Sequence, residues 1–136
     1  MKLYKNYIDG KWLDSESKDV IQVDDPATGN IIGEISCAKK NEVDLAVSAA
    51  KAAFNSRILV DMPLLERGKL MHRIADETRK VADEGGKMLC YENGKMLGSA
   101  IKEFNDVADM FDYYAGLTDK LEGKTIPVSP TIFDYT

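Results

Sequence analysis

The sequence predicts an α+β fold in which N-terminal β-hairpins precede three helices and a C-terminal strand-like arm. Three observations carry this: turn residues between β-branched runs fill residues 1–36; apolar residues recur at helical spacing through 41–121; and proline-interrupted extended segments occupy 122–136. At 136 residues the chain has room for one packed domain, too little for separate cofactor and substrate domains.

The first hairpin is read from Asp9-Gly10, set between Tyr7-Ile8 and Lys11-Trp12-Leu13. Asp-Gly supplies the positive φ angles of a two-residue turn, which makes Tyr7 and Trp12 cross-strand neighbours. Val20–Val23 and Ile31–Ile35 are β-branched runs around Pro26-Ala27-Thr28-Gly29-Asn30, where proline fixes one turn dihedral and glycine frees another.

At Asn41 the period changes. Asn41 as N-cap, with Asp44 three residues on, precedes Val43, Ala46, Val47, Ala50, Ala53 and Phe54, which predicts a helix from about Glu42 to Phe54. A second helix is expected to start at Asp61 with Pro63 in its first turn, to gather Leu70, Ile74, Val81 and Leu89 on one face, and to stop at Asn93-Gly94. Gly85-Gly86 lies inside it, and each glycine costs about 1 kcal/mol against alanine there, so a weakened or kinked turn is expected. The third helix is expected from Leu97 to Leu121 on the stripe Ala100, Ile101, Phe104, Val107, Ala108, Phe111, Ala115 and Leu121. Thr125–Val128 and Thr131–Thr136 then read as extended segments interrupted by Pro127 and Pro130.

Composition narrows the function classes. Hydrophobic residues make up 44% and charged residues 30%, the balance of a soluble packed protein. The 23 acidic and 18 basic residues give a net charge of −5 with no long Lys/Arg run, which argues against nucleic acid and anionic membrane as partners. No stretch reaches the length of a membrane span and the start has no apolar signal segment, so a cytoplasmic setting is expected. Cys37 and Cys90 show no CxxC spacing and are read as reduced, half-buried thiols.

No motif supplies a self-contained active site. Gly123-Lys124-Thr125 resembles the tail of a phosphate-binding loop, but the required earlier glycine is replaced by Thr118. No GxGxxG occurs, so the dinucleotide fingerprint is missing. The single histidine, His72, lies mid-helix with no candidate partner at i±4 and reads as a surface or boundary residue. Asp24-Asp25 and Asp83-Glu84 are read as solvated surface, the first pair with added interest because it precedes Pro26 in a turn. Catalytic and cofactor-binding residues are therefore assigned to none of the positions present.

Read in order, Tyr7-Ile8-Asp9-Gly10-Lys11-Trp12, Asp25-Pro26-Ala27-Thr28-Gly29-Asn30-Ile31-Ile32-Gly33, Glu66-Arg67, Glu92-Asn93-Gly94-Lys95, Tyr113-Tyr114-Ala115-Gly116 and Leu121–Pro127 resemble the N-terminal portion of the NAD(P)-dependent aldehyde dehydrogenases. The resemblance implies part of that family's α/β fold, an oxidoreductase converting an aldehyde to a carboxylic acid, and NAD or NADP for the intact enzyme with no cofactor held by this segment. It places the catalytic cysteine, glutamate and nucleotide-binding strands in sequence beyond residue 136, and it makes the remainder of the dehydrogenase chain and a homo-oligomer the expected partners. Residues 122–136 become the start of an oligomerisation arm whose hairpin would be cut in half at Tyr135-Thr136.

One ligand role is implied as well: a monovalent cation held by the carbonyls of Val23 and Asp24 and the carboxylate of Glu92. Two positions depart from the family's pattern. Asp25 stands where asparagine is usual, adding charge beside Asp24, and Gly85-Gly86 replaces good helix formers. The alternative to an enzyme segment is a non-catalytic module that pairs its exposed strands and apolar faces with itself or a partner, the Phe104, Val107 and Phe111 face being the expected patch.

Overall fold

The computed structural model describes residues 2–136. Strand β1 (Leu3–Tyr4) is followed by a hairpin of β2 (Asn6–Ile8) and β3 (Lys11–Leu13). Asp9 and Gly10 take φ of 50° and 76°, the left-handed values that the turn demands. The register sets Tyr7 opposite Trp12, with ring centroids 4.9 Å apart.

Strands β4 (Val20–Asp24) and β5 (Ile31–Ser36) are antiparallel, and their loop is organised by Asp25. This residue is 8% exposed; its carboxylate accepts the Ala27 N–H at 2.8 Å and the Thr28 hydroxyl at 3.0 Å. Its carbonyl accepts the N–H of Gly29, whose φ is 71°. Asp25 is thus a buried turn former rather than solvated surface, since its side chain closes the local Asx turn. Strand β1 adds parallel to the other edge of β5, giving the order β1-β5-β4. This parallel pairing joins Leu3–Tyr4 to Glu34–Ile35 across some thirty residues, a separation that local hairpin patterns do not reach. Gly33 permits it, because a Cβ there would lie 3.1 Å from the Tyr4 ring.

Helix α1 (Lys40–Asn55) begins earlier than the sequence suggested, with Lys39 rather than Asn41 as N-cap. Glu42, not Asp44, supplies the cap. Its 5% exposed side chain accepts the N–H of Lys39 at 2.6 Å, the Ser15 hydroxyl at 3.0 Å and the Glu16 N–H at 3.0 Å. The Lys39 amide foremost, then the Ser15 hydroxyl and Glu16 amide, hold the carboxyl below its ordinary range against burial, which pushes the other way. Asp44 instead pairs with Lys40 across one helical turn. Likewise Asp61 pairs with Arg57 at 2.9 Å and does not cap the next helix, which starts after Pro63.

The expected second helix is two: α2 (Leu64–Lys80) and α3 (Ala82–Asn93), hinged at Val81 with φ −101° and ψ 6°. The expected weak turn at Gly85-Gly86 is intact helix. Thr78 returns its hydroxyl to the Ile74 carbonyl at 2.8 Å, an interaction that bends helices, and Val81 N–H reaches the Thr78 carbonyl at 3.3 Å. The glycines have a different use. A Cβ on Gly85 would enter the Phe104 ring, and one on Gly86 would lie 2.9 Å from the Ile101 backbone. Gly94, at φ 71°, caps α3.

Helix α4 (Leu97–Ala115) stops short of the expected Leu121, which is 91% exposed. Helices α2 and α3 run antiparallel along α4: Gly68 meets Ala115, Gly85 meets Phe104, and Gly86 meets Ile101. The buried apolar residues among those described are Ala75, Ala82, Ala100, Ala108 and Ala115. The seam is therefore built of small residues, which let backbones approach closely. Ile74 and Val81, expected on the packed face, are on the outside at 37% and 49% exposed.

Strands β6 (Thr125–Ser129) and β7 (Ile132–Tyr135) pair antiparallel, Ile126 opposite Asp134 and Pro127 opposite Phe133. The hairpin is thus closed within the chain rather than cut in half. Its register shifts between Pro127 and Ser129, where the proline cannot donate to the ladder.

Candidate functional site

Two surface features carry chemistry. The first lies between the sheet and α3. Gly94 sits against Pro26, a Cβ on it being 3.4 Å from the proline ring, and this seats the end of α3 by the β4–β5 turn. Val23 and Glu92 consequently line one cavity of about 260 Å³, together with Tyr4, Trp12, Ile32 and Met88. Asp24, the third expected cation ligand, is not among the lining residues; it lies past the register shift at Val23/Asp24. Glu92 is the one charged residue on that lining, and a single carboxylate is too weakly charged to hold a divalent ion. Among the described residues no group of three His, Cys, Asp or Glu side chains is placed to hold a metal.

The second feature is an apolar groove of about 310 Å³ between α2 and α4, formed by Met71, Val107, Met110, Phe111 and Tyr114. Glu103 and Asp106 stand at it as well, and each is neutralised by a lysine, Lys95 and Lys102 respectively. Val107 and Phe111 from the expected patch belong to this groove. Phe104 does not, because its ring fills the notch over Gly85. Phe104→Asp would therefore disrupt packing between helices and would not report on a free surface.

Beside the groove runs an ionic network that sequence reasoning missed. His72 Nδ1 lies 2.6 Å from Asp112 Oδ1; a carboxylate only accepts, so the ring nitrogen donates. One Arg79 nitrogen donates to Asp112 at 2.6 Å and to Asp109 at 2.7 Å. The hydrogen bond from His72, then that from Arg79, holds the Asp112 carboxyl below its ordinary range. His72 is thus a surface residue with a partner, forty positions away rather than at i±4. The available signal was the pairing of His72 and Arg79, two turns apart on one helix, with Asp109 and Asp112, one turn apart on another.

Cys37 and Cys90 are free and partly buried, as expected for small apolar fillers. Lys124, from the loop-like Gly123-Lys124-Thr125, uses its backbone N–H on the Thr136 hydroxyl at 3.1 Å and its carbonyl on the Thr136 N–H at 3.0 Å. That is hairpin closure rather than a phosphate nest.

Comparison with known proteins gives one consistent result. The profile of the Aldehyde dehydrogenase family matches residues 12–136. Retinal dehydrogenase 2 of Homo sapiens is 36% identical over all of this chain and 27% of its own length. D-glyceraldehyde dehydrogenase (NADP(+)) of Picrophilus torridus is 34% identical over 90% of this chain and 24% of its own. The NAD+ complex of an aldehyde dehydrogenase from Bacillus cereus superposes with a TM-score of 0.83 at 28% identity, covering 98% of this chain and 28% of that one. The chain thus spans about a quarter of the length of the relatives it matches.

Proposed function

Because the chain belongs to the aldehyde dehydrogenase family, we propose that it is the N-terminal part of an NAD(P)-dependent oxidoreductase that converts an aldehyde to a carboxylic acid. The observation that supports this is the continuous match over residues 12–136. By itself the chain is proposed to be inactive, since it offers no activated nucleophile and no glycine-rich dinucleotide loop. The test is direct: the purified chain incubated with propanal or benzaldehyde and either NAD+ or NADP+ should form no reduced nicotinamide. Turnover above background, with longer dehydrogenases excluded by intact mass, would overturn the assignment.

Within the whole enzyme the residues present are proposed to act as scaffold, with three local roles. The α2–α4 groove is read as a contact for the apolar body of the aldehyde; its aliphatic and aromatic lining supports this. Val23 and Glu92 are read as ligands to a monovalent cation, with the Asp24 carbonyl as a further ligand. A rise in melting temperature with K+ or Na+ that Glu92→Gln removes would support this, and an equal rise in the variant would refute it. Residues 122–136 are read as the start of an arm joining subunits in a homo-oligomer. Two free thiols support a reducing, cytoplasmic setting.

The second reading, a self-associating module, is favoured by one observation: Phe54, Leu121 and Phe133 are 82%, 91% and 77% exposed. Light scattering separates the two, because a monomer at high concentration counts against the module.

A further inference from the structure

We propose that Arg79, with His72 and Asp112, is a positioning clasp that fixes the opening of the Met71–Met110–Phe111–Tyr114 groove and so its fit to the aldehyde's body. The second half of this rests on reading the groove as the aldehyde contact; the first half stands on geometry alone.

The argument begins with chain order. His72 follows Met71 directly, and Asp112 follows Phe111 directly, so the His72–Asp112 bond at 2.6 Å joins the residues next to two groove walls that face each other from α2 and α4. Seven positions on, Arg79 reaches back over the same seam to Asp112 at 2.6 Å and Asp109 at 2.7 Å. Asp109 itself precedes Met110, a third wall residue.

The seam offers little resistance of its own. Its contacts are Ala75, Ala108, Ala115 and Gly68, small surfaces that fix a distance of closest approach without interlocking. Isolated exposed ion pairs contribute little, but this arrangement differs in two ways. Asp112 receives donors from two residues of α2, and Arg79 stands between two carboxylates one turn apart on α4, which repel each other without it. Arg79 also has Asp76 on its own helix at 3.9 Å, a weak competitor at that distance. Removing the guanidinium therefore leaves three carboxylates facing the seam and favours a rotation of α4 that moves Met110 and Phe111.

Methionine methyl groups labelled with carbon-13 in the 136-residue chain report this without any activity. Arg79→Gln and Asp112→Asn should move the Met71 and Met110 methyl resonances and leave Met88, beside the sheet, in place. Arg79→Lys should restore them only in part, because an ammonium lacks the planar fork that spans two carboxylates. Unmoved Met71 and Met110 signals in a folded Arg79→Gln chain would overturn the clasp; if that variant does not fold, His72→Asn applies the same test at the exposed end. In the whole dehydrogenase, Arg79→Gln should raise KM for the aldehyde about fivefold with kcat held. Met110→Trp separates the two halves. If it changes KM while Arg79→Gln does not, the clasp's control of fit is wrong; if it changes nothing, the groove reading and the aldehyde half of the proposal fall, and the methyl spectra still decide the clasp.

Discussion

Helices α2, α3 and α4 meet along Gly68, Ala75, Ala82, Gly86, Ala100, Ala108 and Ala115, whereas every residue of β6 and β7 is exposed. Both regions are regular and both were legible as elements in the sequence. They differ in what holds them. In the helical layer, backbones close on glycine and alanine, and between α3 and α4 the Phe104 ring enters the notch over Gly85, so tertiary contacts decide how the helices meet. Among the described residues the hairpin is held by its own ladder, the Lys124–Thr136 hydrogen bonds and the Phe133–Tyr135 ring contact at 5.4 Å, and a two-stranded hairpin with two wet faces is marginal in water. The contrast teaches that local pattern specifies an element's type, while its stability depends on a second surface.

The largest test of that contrast is Phe104→Asp. Emptying the notch over Gly85 and placing a carboxylate there should destabilise the chain by about 3 kcal/mol, read as a lower urea midpoint with loss of helical dichroism. A change confined to the oligomeric state would show that Phe104 lies on a free surface after all.

Gly86→Ala is the subtler probe of the same seam. Helix propensity alone predicts a gain of about 1 kcal/mol, but a Cβ 2.9 Å from the Ile101 backbone must push two helices apart, at a cost of about 2 kcal/mol. The expected outcome is a net loss of about 1 kcal/mol. Net stabilisation in thermal unfolding would mean that α3 and α4 are not in close register.

Glu42 lies between the two extremes, since it ties α1 to the β3–β4 connection through one carboxylate. Its folded pKa is lowered, so its contribution is present above the ordinary carboxylate range and is lost as pH falls through the folded value. Acidification should therefore raise amide exchange in Lys40–Asn55 before Leu64–Ala115, and Glu42→Gln should abolish that acid step. Simultaneous loss of all helices in the unmodified chain would argue against a separate latch.

The smallest effect is expected in the arm. Phe133→Ser should leave the helical unfolding midpoint within about 0.5 kcal/mol of the parent while weakening any concentration-dependent association. A large drop in midpoint would place the hairpin inside the cooperative unit and erase the contrast.

Much of the fold was readable because it was encoded at short range. Asp9-Gly10 and Gly29 required positive φ, Gly94 required a left-handed cap, and the alternation of β-branched and helical periods marked strands from helices. Of the candidate cation residues, Val23 and Glu92 line one cavity beside the Gly94–Pro26 contact, and Asp24 is not on its lining; that neighbourhood is set by tertiary packing, which their separation in sequence does not record. In sequence the His72–Arg79–Asp109–Asp112 network is present only as two spaced pairs; which pair meets which depends on the antiparallel phase of α2 and α4, which no local pattern records.

By itself the sequence determined element types, turn positions and, through ordered motifs from Tyr7 to Pro127, family membership. Tertiary structure decided which face of each helix is inside. Periodicity places Ile74 and Val81 on one packed face with Leu70 and Leu89, and Phe104 on a patch expected to be free, yet close approach of backbones selects the residues that take least room. Glycine and alanine therefore form the seam, and the larger side chains fill notches or stay outside. Hydrophobicity says that a face is to be buried; only the distance between helices says which one.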